Sequence, residues 1–150
     1  MLDGAPRQHT PPEVPSWLID DFVDKTPGVR QALLVSSDGL LMHQAGALDT
    51  DQADSLSAIT SGLVSSGHAA GRLISEPRCQ QMMFRYAGSH LLIMGVYDLA
   101  SVAVVVNKGA KLDVVYQAMT RLVEGTGRVL APQPRDDTPI LPPQPGEQRP

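Results

Sequence analysis

Apolar residues in this chain recur at two spacings, and the switches between them mark eight elements. Ser16–Lys25 carries Trp17, Leu18, Phe22 and Val23 as the apolar positions of a short helix. Ser16 is its predicted N-cap, and Asp20 and Asp21 fall in the first turns, where the helix dipole favours anions. Thr26-Pro27-Gly28 stops it. Val29–Ser36 then reads as a strand. Its apolar run of Val29, Ala32, Leu33, Leu34 and Val35 predicts burial on both faces. Asp38-Gly39 is a two-residue hairpin signal, and Leu40–Ala45 is the returning strand.

Asp49, followed three residues later by Gln52, predicts a capping box at the start of a long helix, Thr50 to Leu73. Leu56, Ile59, Leu63 and Ala70 form its expected apolar stripe. Cys79–Tyr86 alternates as a strand, with Gln80, Met82, Phe84 and Tyr86 on one face and Cys79, Gln81, Met83 and Arg85 on the other. After the turn Ala87-Gly88-Ser89, His90–Val96 returns, and Tyr97-Asp98-Leu99 turns again. Ser101–Val106 is so apolar and β-branched that it should be central. Ala110–Glu124 is the last helix, with Leu112, Val115, Met119, Leu122 and Val123 inward, and Gly125 and Gly127 are its predicted end. The order α-β-β-α-β-β-β-α predicts an α/β (α+β) fold. It has one five-stranded, mostly antiparallel sheet with helices on both faces, a profilin-like three-layer architecture.

The long helix breaks the usual rule for helix surfaces. Between Ser55 and Gly71 it has no Asp, Glu, Lys or Arg. A solvated helix face normally carries charge. Gly62 and Gly67 also lie inside it, and each costs roughly 1 kcal/mol relative to Ala. Small residues let another backbone approach closely, so a second molecule is the expected cover. The blander alternative is a helix buried within its own domain. The Cys79–Tyr86 strand adds a second signal. It is a candidate sheet edge whose only charge is Arg85, and unguarded edges pair with other chains. A symmetric dimer follows, with Ser55, Ile59, Gly62, Ser66, Ala69, Gln80, Met82 and Phe84 as interface candidates.

Proline sets the domain limits. Four of the thirteen prolines lie in residues 1–15 and seven in residues 131–150, with only Pro27 and Pro77 between. Residues 16–130 are therefore the predicted domain, and 1–15 and 131–150 the predicted disordered tails. Pro142-Pro143-Gln144-Pro145 could enter a proline-reading groove, though a solvated tail is the simpler expectation. The net charge of −4, with twelve scattered Lys and Arg, argues against nucleic-acid binding and against an anionic membrane surface. The apolar runs are too short to span a bilayer, and Met1-Leu2-Asp3-Gly4 does not begin a secretory signal. The single cysteine, Cys79, excludes an intrachain disulfide. Together these predict a cytoplasmic protein.

Catalytic chemistry has little support. There is no G-x-x-x-x-G-K-[ST] loop and no G-x-S-x-G, and Asn107-Lys108-Gly109-Ala110-Lys111 lacks phosphate-loop spacing. His9, His43, His68 and His90 show no metal-ligand spacing with one another or with Cys79. Cys79 reads as a small apolar residue of core or interface. No cofactor, no metal and no enzymatic activity are expected.

The stretch from Gly28 to Leu40, Gly28-Val29-Arg30-Gln31-Ala32-Leu33-Leu34-Val35-Ser36-Ser37-Asp38-Gly39-Leu40, resembles the first hairpin of the Roadblock/LC7 family. The small-residue helix, the three-strand meander and the closing helix follow in that family's order, over about residues 16–128. The resemblance implies a homodimer whose sheets join through the strand after the long helix, with the two long helices side by side. It also implies partnership with a small Ras-like GTPase and, as in actinobacterial members, a sensor-kinase-like protein in the same gene cluster. A GTPase partner raises the question of an arginine finger. Arg72 and Arg78 are the candidates by position. The simpler reading is that Arg72 complements a helix C-terminus and Arg78 is solvated. A sensory ligand-binding domain of profilin-like or PAS-like type is the alternative, and it requires a cavity with convergent polar groups.

Overall fold

The computed structural model describes residues 15–131. Its elements follow the predicted order: α1 (Ser16–Lys25), β1 (Val29–Ser36), β2 (Leu41–Gly46), α2 (Thr50–Leu73), β3 (Gln81–Arg85), β4 (Ser89–Val96), β5 (Ala100–Asn107) and α3 (Leu112–Leu130). The readings of the tails, of Pro142–Pro145 and of His9 lie outside the described residues.

The five strands form one sheet in the order β2-β1-β5-β4-β3, and every neighbouring pair is antiparallel. The β-branched strand β5 is central, pairing Ala103 with Leu33 on one side and with Ile93 on the other. Successive strand residues point to opposite faces. Leu33, Val35, Leu91, Ile93 and Ala103 therefore face α2, with Leu56, Leu63 and Val64 packed on them. Ala32, Leu34, Leu92, Val102 and Val104 face the other way, against Ile19 and Phe22 of α1 and Val115, Met119 and Leu122 of α3. Helices thus cover both faces in three layers. The first turn is locked to the last strand: Asn107 N–H donates to Gly28 O at 2.8 Å. Gly28 has φ +88° and a Cβ there would strike Ala110, so this position requires glycine.

The capping box holds in full. Gln52 N–H donates to Asp49 Oδ1 at 2.8 Å, and Asp49 N–H donates to Gln52 Oε1 at 3.3 Å. Several other local expectations are corrected. Pro15, not Ser16, is the N-cap of α1, and the first turn holds no acidic residue. Asp20 and Asp21 instead pair with His43 and Lys25. Trp17 is 62% exposed, because it precedes the buried Ile19 by two residues, about 200° around the helix. The first hairpin is not a two-residue turn. Gly39 N–H donates to Ser36 O, Ser36 N–H donates to Leu40 O, and Gly39 has φ +84°. That is a three-residue loop closed by a left-handed glycine, which starts β2 at Leu41.

Two helix readings also change. The inward stripe of α2 is Ala53, Ser57, Thr60 and Gly71, joined by Leu56, Leu63 and Val64. Ile59 and Ala70 lie on the exposed side. Gly125 and Gly127 do not end α3, which continues to Leu130. A Cβ on Gly127 would collide with the ring of Tyr97. This glycine therefore makes room for the β4–β5 turn, and packing keeps it helical.

Candidate interaction surface

Residues Ser55, Ile59, Gly62, Ser66 and Ala69 are spaced by four or three along α2, so they form one stripe. All five are exposed, on the side away from the sheet. The stripe has no charge, and Ile59 at its middle is 56% exposed. Burying one large aliphatic side chain is favourable by about 1.5–3 kcal/mol, so leaving Ile59 in water forgoes that gain.

The internal glycines of α2 have different surroundings. A Cβ on Gly67 would meet Met82 Cε at 2.5 Å and Cys79 Cβ at 3.1 Å, so its own chain covers it. Gly71 is likewise covered, by the backbone of Glu76. Around Gly62 nothing lies within 4 Å among the described residues. Its own fold gives no reason for a glycine there.

The edge candidates divide. β3 is an edge of the sheet, hydrogen-bonded to β4 on one side only. It begins at Gln81, so Gln80 is an exposed residue just before it rather than a strand position. Met82 and Phe84 point to the α2 layer and pack partly onto Leu91 and Ile93. Sequence reasoning did not single out Met83 and Tyr86 as surface residues, although both are exposed large apolar side chains beside this edge. The period-two alternation of β3 was the signal available for Met83. Leu73 and Ile74, at the C-terminal end of α2, are more exposed still, and no sequence signal marks them.

Of the chemical candidates, His68, Arg78 and Cys79 line one cavity, and the others lie elsewhere. Arg72 is exposed in the last turn of α2, and Arg78 Nη2 donates to Asp98 Oδ2 at 2.6 Å. His43 bonds Asp20 at 3.1 Å, and His68 Nδ1 accepts the backbone N–H of Cys79. His90 is buried opposite Val106, with neither ring nitrogen hydrogen-bonded among the described residues. Cys79 is half-buried, with Sγ 3.5 Å from Gln81 O. Among the described residues no group of three or more His, Cys, Asp and Glu could hold a metal ion. No described helix is long and apolar enough to cross a membrane.

The chain is thus a three-layer α/β domain with β3 at a sheet edge and an uncharged stripe on the outward side of α2. The Roadblock/LC7 domain family matches residues 15–107. A Roadblock/LC7 domain from Streptomyces avermitilis is 31% identical, with a TM-score of 0.69 over 73% of this chain and 92% of that one. Myxococcus xanthus MglB superposes with a TM-score of 0.72 at 18% identity, over 76% of this chain and 92% of MglB. The gliding protein MglB of Thermus thermophilus gives 0.68 at 22% identity, over 75% and 85% of the two chains. These last two likenesses concern the fold. No curated protein sequence matches this chain significantly. The chain belongs to the Roadblock/LC7 family.

Proposed function

We propose that this protein is a homodimeric regulator or scaffold for a small Ras-like GTPase, acting by binding rather than by chemistry of its own. The observation that carries the proposal is the stripe Ser55–Ile59–Gly62–Ser66–Ala69. It is uncharged and exposed, centred on a glycine with no described residue within 4 Å of where its Cβ would sit, and on the same chain as an edge strand whose only charge is Arg85. Two copies related by a two-fold axis would lay their α2 helices side by side. They would join β3 to β3 in one continuous sheet and satisfy the free edge amides. Gly62 would let the helix backbones approach where a larger residue would hold them apart.

The GTPase partner comes from family membership and from the likeness to MglB proteins. A sensor-kinase-like protein is the further partner that the actinobacterial resemblance suggests, with cytoplasmic action and residues 16–130 as the functional unit. Neither arginine-finger candidate is needed: Arg78 is engaged by Asp98, and Arg72 complements the end of α2.

Light scattering on the full chain tests the dimer, with twice the chain mass expected at micromolar concentration. Co-purification with a Ras-like GTPase from the same genome, loaded with GDP or a non-hydrolysable GTP analogue, tests the partner. Binding that differs between the two nucleotide states is the expected result. A monomer that ignores every such GTPase would remove this reading.

A further inference from the structure

The layer opposite α2 has an apolar groove on its outer side. It has a volume of about 290 Å³ and runs between α1 and α3, over Leu18, Phe22, Val114 and Ala118. Asp21, Lys25 and Arg121 form its charged rim. Val114 is 41% exposed, and Trp17, one turn before Asp21 on the same side of α1, is 62% exposed. Gly28, just after α1, abuts Ala110, just before α3, so the two helices run in opposite senses along the groove. Trp17 therefore stands at the end of the groove towards which α3 runs.

The chain itself supplies a segment of matching chemistry. After Ala131 it continues Pro132-Gln133-Pro134-Arg135-Asp136-Asp137-Thr138-Pro139-Ile140-Leu141-Pro142. Ile140 and Leu141 are the only large apolar residues in 131–150. Proline on either side restricts the backbone, so less entropy is lost when such a pair docks. The charges also agree. Lys25 is held by Asp21 at 2.9 Å, which neutralises the α1 rim. Arg121, on the α3 rim, has no ion pair among the described residues. Beyond Arg128, whose Nε turns back to Glu124 O, the outer side of α3 presents Glu124 and then Arg121. A chain folding back from Leu130 presents Arg135 and then Asp136 and Asp137, the opposite charges in the same order. The lengths fit as well. Arg121 lies about 14 Å back along α3 from Leu130, and residues 131–136 reach about 19 Å when extended. Val114 lies about 10 Å beyond Arg121, and Ile140 and Leu141 follow Asp137 by about 9–12 Å.

We propose that residues 136–141 dock into the α1–α3 groove of their own chain. Ile140 and Leu141 cover Val114 and Ala118, and the Asp136–Asp137 pair meets Arg121. Apolar burial supplies the driving force, and the charges set the direction and register. The segment is then a strap over the layer opposite α2. The outward stripe of α2 and the edge of β3 stay free, so the proposal does not depend on the dimer or on the GTPase.

The test compares the full-length wild type with the double variant Ile140→Asp, Leu141→Asp. Two readouts are used: methyl NMR of Leu18 and Val114, and acrylamide quenching of Trp17, the only tryptophan in the chain. Neither substituted position belongs to a described element, and the circular dichroism spectrum should stay that of the wild type. The methyl resonances should shift in the variant, and quenching should rise about twofold as the indole loses its cover. Arg121→Glu should act in the same direction. Adding Asp136→Lys and Asp137→Lys to it should restore the wild-type methyl shifts, because the pairing is then rebuilt with its signs exchanged. Protection of Trp17 in the wild type should not change on dilution. Methyl resonances or quenching identical in the wild type and the double variant would overturn the proposal, as would a charge exchange that restores nothing. Protection lost on dilution would also overturn it, by assigning the groove to a segment of another chain.

Discussion

The two helical layers of this domain are built by opposite rules. α3 is a self-sufficient amphipathic helix. Val115, Met119 and Leu122 are buried against the sheet, while Asp113, Gln117, Arg121, Glu124 and Arg128 face water. α2 buries small and polar groups, Ala53, Ser57 and Thr60, and exposes Ile59 with serine, glycine and alanine around it. A helix whose inner face is modest and whose outer face is uncharged is incompletely stabilised by its own chain. The contrast separates a helix whose outer face is charged from one whose outer face is not.

The largest expected effects separate the two layers by concentration dependence. Met119→Ala removes a fully buried side chain of the α3 layer. It should lower unfolding stability by about 2–5 kcal/mol, and urea denaturation should show that loss at every protein concentration. Gly62→Arg should act on the other layer. With no described residue within 4 Å of a Cβ there, the arginine fits the monomer, and far-UV circular dichroism should be unchanged. In a dimer it would push two α2 helices apart. The expected cost is about 2 kcal/mol or more of association, as for a central interface residue. Light scattering should then find monomer at concentrations where the wild type is expected to be dimer. If Gly62→Arg leaves the mass unchanged, the two layers do not differ in the way argued above.

Asp49→Ala is the next smaller effect, and it controls for helix integrity. It removes the bond from Gln52 N–H to the Asp49 carboxylate at the start of α2, keeps the backbone donor of the second bond, and should cost about 0.5–2 kcal/mol of stability. Asp49 lies outside the outward stripe, so thermal unfolding should shift while the association constant does not. If association falls in proportion to stability, α2 responds to any weakening, and the stripe is not specific.

The same contrast explains what was legible in the sequence. Element order was readable because it depends on period, and the apolar runs of Val29–Ser36 or Ser101–Val106 cannot be mistaken for a helix stripe. The capping box was readable because Asp49 and Gln52 act within a single turn. The end of α3 was not: Gly127 reads as a stop, and only the ring of Tyr97, thirty residues earlier in the chain, shows why a glycine is there. The serine-lined cavity beside α2 was not legible either. Its serines come from β1 and its turn, from α2 and from β5, and no spacing along the chain connects them. Gly62 and Gly67 are indistinguishable as letters, and surroundings alone separate a glycine filled by Met82 from one left open.

Gly62→Ala gives the smallest effect and the sharpest test. In a helix whose outer face meets water, alanine stabilises by up to about 1 kcal/mol relative to glycine, through propensity alone. Among the described residues nothing lies within 4 Å of the added methyl group, so the monomer should gain that full amount. If a second α2 packs over Gly62, the methyl group must also be accommodated between two helix backbones, and the dimer should weaken even as the monomer strengthens. Unfolding should therefore be measured at two protein concentrations. At the lower one, where monomer dominates, the variant should melt above the wild type. At the higher one, the gain should shrink or reverse. A constant gain at both concentrations would mean that water, and not another helix, faces Gly62. The glycine would then be an unexplained cost in an otherwise well-capped helix.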